Sequence, residues 1–364
     1  MNKKKEIVPK FRFPKYVNSE QWISTELSSL LDYERPDLYI VESDNYKNEG
    51  IPVLTANKSF ILGYTDEKNN IYSRVPVIIF DDFTTEKKYV DFPFKVKSSA
   101  IKILKPKGNN VLKFVFELMN TINFEAKEHK RYYISTYQKL FVYVPKDVKE
   151  QQNIADCLSS TDDLIDAESR KLKVLEKYKK GLMQKLFPAE GKTLPEWRFP
   201  EFKHCGNWEQ VTLTKVAFYE NGKAHENYIE EYGKYIVVNS KFIATNGEVT
   251  KHSNTANLLA KRGDILMVLS DVPNGRALAK CYFVNGNDKY TVNQRICRLR
   301  PYDIDSLFLF YYVNRNKYFL DFDDGVKQTN LKKSDVLACP LLKPKEKREQ
   351  QKIADCLSEI DTMI

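Results

Sequence analysis

Glu150-Gln151-Gln152-Asn153-Ile154-Ala155-Asp156-Cys157-Leu158-Ser159 returns as Glu349-Gln350-Gln351-Lys352-Ile353-Ala354-Asp355-Cys356-Leu357-Ser358, identical at nine of ten positions. A second echo precedes it: Pro9-Lys10-Phe11-Arg12-Phe13-Pro14, with Trp22 and Leu27, matches Pro195-Glu196-Trp197-Arg198-Phe199-Pro200, with Trp208 and Leu213. The offsets are 199 positions for the first echo and 186 for the second. Two echoes in the same order at nearly the same separation mark a duplicated module. The 364 residues are therefore two copies of one unit in tandem, in agreement with the length prior of about 150 residues per domain.

Outward from the first repeat, no proline occurs between Pro145 and Pro188, and Ile154, Leu158, Ile165, Leu172, Leu175, Leu182 and Leu186 recur on three-, four- and seven-residue steps. That spacing predicts one long helix with a narrow apolar seam, interrupted at Thr161, Glu168 and Lys179 and ended by Pro188 and Gly191. At about 1.5 Å per residue it makes a rod of about 60 Å, a spacer. The lysines of its last turns suit the negative end of the helix dipole. The same helix begins again after Pro344, and the chain stops at Ile364, about halfway through the equivalent of the first copy. An unfinished seam leaves apolar surface that ordinary monomers avoid. Docking or self-association through this truncated coiled coil is expected to cover it. In an antiparallel pair, Gln350 to Ile364 faces Leu172 to Phe187, leaving Ile154, Leu158 and Ile165 without that partner.

Between the helices, short aromatic and β-branched runs bounded by turn residues predict strands at Val75 to Phe80, Ala100 to Leu104, Tyr235 to Asn239, Asp264 to Leu269 and Ile296 to Leu299. Val111 to Asn123 and Ser306 to Tyr318 predict a matching helix late in each copy. The organisation expected is a first module at 1–147, a long helix at 148–187, a second module at 188–343 and a truncated second helix at 344–364. The helices scarcely differ between copies and the modules differ greatly, so one task is expected on two different targets.

Hydrophobic residues make up 42% and charged residues 29%, globular values, and no apolar run approaches the roughly 18 residues that cross a bilayer. The charged start lacks an apolar stretch after it, so the cytosol is expected. A net charge of +9 points weakly to a polyanionic partner. The six cysteines show no C-x-x-C spacing and read as buried free thiols. The four histidines are isolated from one another, and no metal is assigned. G-x-G, Walker A, G-x-S-x-G, H-E-x-x-H and Pro-Pro are all missing, which removes the common nucleotide, hydrolase and adenine-methyltransferase signatures. Asp81, Asp82 and Glu86-Lys87-Lys88 faintly resemble a nuclease set, but the second copy has no equivalent. Acidic-basic clusters are usually solvated faces, so no catalysis is expected.

Two unlike modules, each followed by a helix opening with P-x(n)-E-Q-Q-x-I-A-x-x-L, resemble the specificity (S) subunit of type I restriction-modification systems over essentially the whole chain. Arg262-Gly263-Asp264-Ile265-Leu266 and Thr291-Val292-Asn293-Gln294-Arg295-Ile296 are similar to recurring segments of that family's target recognition domains, as are Phe80-Asp81-Asp82-Phe83-Thr84-Thr85 and Lys97-Ser98-Ser99-Ala100. The missing second half of the distal helix departs from the pattern. The resemblance implies an α/β (α+β) fold: two globular target recognition domains with twisted β-sheets, separated by long helices packed as an antiparallel coiled coil, in a tandem pseudo-twofold repeat. It implies that each domain reads one half of a bipartite double-stranded DNA target while the helices fix the gap. It also implies two methyltransferase (M) subunits that carry S-adenosylmethionine and methylate adenine, and motor-nuclease (R) subunits that join to cut. The chain itself is then non-catalytic and holds no cofactor. Half-sites read from one side of a duplex lie about one helical turn apart, a spacing that a rigid strut can enforce.

Base readout needs Arg, Lys, Asn, Gln, Ser or Thr on loops, and phosphate contacts need mainly Lys and Arg. The candidates in the first module are Asn57, Lys58, Thr84, Thr85, Lys87, Lys88, Lys97, Ser98, Lys130 and Arg131. Those in the second are Asn239, Ser240, Lys241, Asn274, Arg276, Asn293, Gln294, Arg295, Lys327, Thr329 and Asn330. For any one of them, a solvated surface position is the competing explanation. Glu150, Gln151, Gln152, Glu349, Gln350 and Gln351 suggest a shared contact with each methyltransferase subunit, against the alternative that they pack the strut onto its own module. Two other functions compete: a recognition fragment of a fused restriction-methylation enzyme, and a coiled-coil adaptor joining two protein ligands.

Overall fold

The structure, a computed structural model, describes residues 9–57 and 59–364. The chain divides into two compact units, Met1–Ala167 and Glu168–Ile364. The division falls inside the long helix, so its first half belongs with the first module.

In the first unit, β1 (Ile23–Glu26), β2 (Leu31–Glu34), β3 (Ile51–Leu54), β4 (Ile61–Thr65), β5 (Val77–Asp81), β6 (Lys87–Val90), β7 (Lys95–Val96) and β8 (Ile101–Pro106) precede helix α1 (Leu112–Asn120) and β9 (Phe141–Val144). Helix α2 (Val148–Leu186) follows. A four-stranded sheet runs β2-β8-β5-β6, a three-stranded sheet β4-β3-β7, and β1 pairs with β9. The run Val77-Ile78-Ile79-Phe80 is buried throughout because the four-stranded sheet is covered on both faces. Alternate residues divide between two cores. Ile78, Phe80 and Leu104 meet Leu112, Phe114, Val115 and Met119 of α1, whereas Val77, Ile79 and Ile103 meet Leu54 and Val96 of the smaller sheet.

The second unit repeats this plan. Its elements are β10 (Glu209–Thr212), β11 (Ala217–Asn221), β12 (Tyr235–Val238), α3 (Ser240–Ala244), β13 (His252–Ser253), β14 (Ile265–Val268), β15 (Ser270–Asp271), β16 (Cys281–Phe283), β17 (Tyr290–Val292) and β18 (Ile296–Pro301). Then come α4 (Ser306–Val313), α5 (Lys317–Leu320), β19 (Thr329–Asn330), α6 (Lys333–Leu337), β20 (Pro340–Lys343) and α7 (Lys347–Met363). The sheets run β11-β18-β14-β16 and β13-β12-β17, and β10 pairs with β20, matching the first unit strand for strand; β15-β19 is an addition. Ile265, Met267, Cys297 and Leu299 face the core with Phe308 and Leu309 of α4, and Leu266, Val268 and Ile296 face the smaller sheet. The α+β class and the duplication expected from the echoes are what is found.

The predicted helix 306–318 is two helices. Arg315 takes φ +56° and Asn316 caps the second piece, its side chain accepting from Tyr318 N. The short polar side chain of Asn316 competes with the helix for backbone groups and starts the second piece. Within the second unit, the end of α2 and α7 run antiparallel. Leu182, Met183 and Leu186 share one core with Ile353, Ala354 and Leu357, while Lys179, a turn or two earlier in α2, pairs with Asp361. Of the three residues expected to lack a partner, Ile154 packs against its own module's core, whereas Leu158 and Ile165 are 40% and 58% exposed. Leu164 and Val174 are exposed beside them.

All six cysteines are free, as read from the sequence, but Cys157 and Cys205 are exposed; only Cys281, Cys297 and Cys339 are buried, and Cys356 lies between. The equivalence of Cys157 and Cys356 does not extend to burial. His225 is a core histidine: its ring nitrogens meet Lys223 O at 2.7 Å and Thr291 Oγ1 at 3.0 Å. No helix among the described residues is long and apolar enough to cross a membrane.

Candidate nucleic-acid interface

The two echoes form one device. Glu150 accepts from Arg12 Nε and Nη2, both at 2.7 Å, and from Trp22 Nε1 at 3.1 Å. Glu349 accepts from Arg198 Nε and Nη2 at 2.7 Å and from Trp208 Nε1 at 3.4 Å. Each guanidinium is raised above its usual value, first by this hydrogen bond. Gln151 accepts from Val111 N at 3.0 Å and donates to Pro145 O at 3.2 Å; Gln350 accepts from Asp305 N at 2.8 Å and donates to Pro344 O at 2.7 Å. Val111 and Asp305 immediately precede α1 and α4. The glutamate thus ties down the start of the module, and the first glutamine satisfies a backbone donor at the head of its late helix. Bidentate charge-assisted pairs are strong and geometrically demanding, which accounts for the repetition. Glu150, Gln151, Glu349 and Gln350 are buried by these contacts. The shared-contact expectation narrows accordingly to Gln152 and Gln351, whose side chains are exposed.

The nuclease-like carboxylates are structural. Asp81 Oδ1 accepts from Phe83 N and Thr84 N at 2.9 Å, closing the β5–β6 turn, in which Thr85 takes φ +62°. Asp82 pairs with the buried Lys102 at 3.1 Å and accepts from Tyr133 N at 2.8 Å. Among the described residues, no group of three His, Cys, Asp or Glu is placed to hold a metal.

In the first module, Thr84 Oγ1 donates to Asn57 Oδ1 at 3.2 Å, joining two candidates at one loop tip, while Thr85 is buried. Lys58 lies outside the described residues. Lys87 and Lys88 lie on β6, and burial lowers the Lys87 amine below its ordinary value. Lys97 pairs with Asp44 and Lys130 with Glu128, and the carboxylate of each pair is well exposed, so a polyanion can displace them at little cost. Ser98 Oγ accepts from Ala100 N at 3.3 Å. Arg131 lies over the Phe83 ring at 5.8 Å, and Phe83 stacks on His129 at 4.7 Å. Arg131 also lines a cleft of about 330 Å³ with Arg35, Asp37, Asp82, Ser99, Lys102 and Ser135; Arg35, Lys102 and Ser135 were not singled out in the sequence.

In the second module, Asn239 caps α3 by accepting from Phe242 N at 2.9 Å, and Ser240 and Lys241 form that helix's first turn. Asn274 and Thr329 both donate to Asp323, at 3.1 and 3.3 Å, and Lys327 occupies the same loop. Thr329 is buried, and Arg276 is exposed. Asn293 Oδ1 accepts from Gln294 N at 2.9 Å. Gln294, Arg295 and Asn330 come together around a second cleft, also about 330 Å³, with Asn221, Ser270, Lys332 and Lys333. The missed residues carried one legible signal: Arg35 and Asn221 are 186 positions apart, the offset of the leading echo.

The chain thus holds two modules of one topology, each clamped to the head of a helix; Arg35, Lys102 and Arg131 line a cleft of the first with Asp37 and Asp82, and Asn221, Gln294, Arg295 and Asn330 line a cleft of the second. Residues 206–364 match the family model of the type I restriction modification DNA specificity domain. The chain is 35% identical over 252 residues to the specificity subunit of the Escherichia coli type I restriction enzyme EcoR124I/EcoR124II, covering 65% of this chain and 61% of that protein. It is 26% identical over 238 residues to the MjaVIII specificity subunit of Methanocaldococcus jannaschii, covering 60% of this chain and 54% of that protein. The matches thus span just over half the length of these curated relatives. The crystal structure of a type I restriction-modification S subunit from M. genitalium superposes over 98% of this chain and 93% of its own with a TM-score of 0.70 at 16% identity, a likeness of fold. These matches agree with the resemblance to type I specificity subunits read from the repeat, and the family-model match lies in the second unit.

Proposed function

We propose that this chain is the non-catalytic DNA-recognition subunit of a type I restriction-modification complex, each module reading one half of a bipartite duplex target. The observation supporting this reading is the pair of modules with one strand order and one clamp but unlike loop chemistry: a shared scaffold carries two different reading surfaces. The helices set the spacer and dock two methyltransferase subunits, with exposed Gln152 and Gln351 at equivalent places on them. S-adenosylmethionine resides on those partners, and motor-nuclease subunits complete the assembly. Association through the exposed seam of α2 belongs to the same reading. Co-expression with the methyltransferase partner, followed by sequencing for modified adenines, is expected to reveal one split motif. Absence of any split motif overturns the proposal.

A further inference from the structure

The two clefts occupy the same place in the two modules, as the backbone hydrogen bonds establish residue by residue. Asp82 N donates to Ala100 O at 2.8 Å, and Leu269 N donates to Arg295 O at 2.9 Å. Tyr132 N donates to Asp82 O and Leu331 N to Leu269 O, each at 2.8 Å. Glu34 pairs in register with Ile103, and Glu220 with Arg298. These anchors equate Asp82 with Leu269, Ala100 with Arg295 and Tyr132 with Leu331, and hence Arg35 with Asn221, Ser99 with Gln294 and Arg131 with Asn330. Every one of the six side chains in those last three pairs lines its module's cleft.

We infer that these paired clefts are the base-reading sites, and that the positions Arg35/Asn221, Ser99/Gln294 and Arg131/Asn330 determine which sequence each module reads. The inference rests on the proposed function and assigns its chemistry. The cleft rim is built alike in both modules, from the end of the first sheet strand, the loop before the last and the segment hydrogen-bonded to the residue after the central strand. The side chains displayed differ in kind. The first module offers two guanidinium groups, which match guanine O6 and N7 bidentately. At the same three positions the second offers three carboxamides, which match adenine N6 and N7, with Arg295, Lys332 and Lys333 beside them. The floors differ too: the Asp82–Lys102 pair lies beneath the first, and apolar Leu269 beneath the second. Arg35, Arg131, Asn221, Gln294 and Asn330 are exposed and in no core, so substitution changes the display and not the fold. Gln294 spends its amide on Glu226 at 3.1 Å, a surface contact that a base edge can replace.

The test is selection of a randomised duplex library by the full chain at low salt, for the wild type, Arg131→Asn, Asn330→Arg and a control outside both clefts, the exposed Lys203→Ala. The wild type is expected to enrich a split sequence with guanine read by one half and adenine by the other. Arg131→Asn is expected to cut discrimination at one base position of the first half by about tenfold and leave the second half unchanged, and Asn330→Arg to do the converse, with Lys203→Ala altering neither preference. A wild type that enriches a split sequence while both cleft variants retain it unchanged, or weaken all sequences equally, overturns the clefts as reading sites and leaves the proposed function standing. A wild type that enriches no split sequence overturns both.

Discussion

Glu349 grips Arg198, 151 positions upstream, through both carboxylate oxygens at 2.7 Å. The pair is buried, and the same pair recurs as Glu150 with Arg12. It joins the first residues of a module to the helix that leaves it, so that the module closes as a loop whose two ends meet.

Breaking the clamp leaves the largely buried Arg198 guanidinium without its countercharge. Glu349→Gln is expected to destabilise the second unit by about 3 kcal/mol, and calorimetry is expected to show its Tm falling by about 6–12 °C. A Tm within a degree of wild type would mean that the clamp contributes nothing net.

Thiol reactivity is expected to divide sharply. Burial pushes the Cys297 and Cys339 thiols up to about 12, and Cys281 well above its usual value. At pH 8 these three stay protonated and enclosed, whereas Cys157 and Cys205 are open to solvent. Mass spectrometry after brief alkylation is expected to find Cys157 and Cys205 modified and the buried three untouched until denaturant is added.

Gly222 sits on the rim of the second cleft with no room for a side chain: an added Cβ would lie 2.1 Å from Asn293 O. Its N–H also bonds Ile296 O at 2.9 Å, so the loop cannot retreat freely. Gly222→Ala is expected to cost about 1–3 kcal/mol, read as a lowered denaturant midpoint. An unchanged midpoint would place the loop elsewhere.

Leu164 and Ile165 are 61% and 58% exposed on α2. Replacing both with lysine is expected to leave Tm unchanged, since surface substitutions stay within about 0.5 kcal/mol. Sedimentation velocity is expected to show concentration-dependent association in the wild type and its loss in the variant. A wild type monomeric at every concentration refutes the association.

If basic residues on both modules contact phosphates, affinity for duplex DNA falls steeply as salt rises. Titrations across a fourfold range of salt are expected to give a strongly negative slope of log affinity against log salt. A flat slope favours the protein-adaptor reading.

Much of this was written in the chain before folding. The duplication, the long helix, the buried strands and the α+β class follow from repetition and apolar period, because periodicity reflects which faces must leave water. The break at Arg315 was hidden, since Leu307 to Val313 is apolar all round and gives no clue to where a helix turns away. The glutamates and glutamines were visible as a repeat, but their chemistry was not. Their partners, Arg12 and Trp22 or Val111 and Asp305, are 40 to 151 positions away and adjacent only after folding. The candidate contacts differ in where folding puts them. Asn239 proved to be a helix cap and Thr329 a buried strand residue, whereas Gln294, Arg295 and Asn330 converge.

What the sequence determined alone was therefore local and periodic: two modules, two helix starts, strands hydrophobic enough for burial on both faces. Only the tertiary structure decided which of the polar residues are consumed in holding the fold and which remain free to meet a ligand. Hydrogen-bond partners are a matter of distance in space, and the pairing of Arg12 with Glu150, or of Arg131 with Ser99 across one cleft, exists only once the sheets bring those segments together.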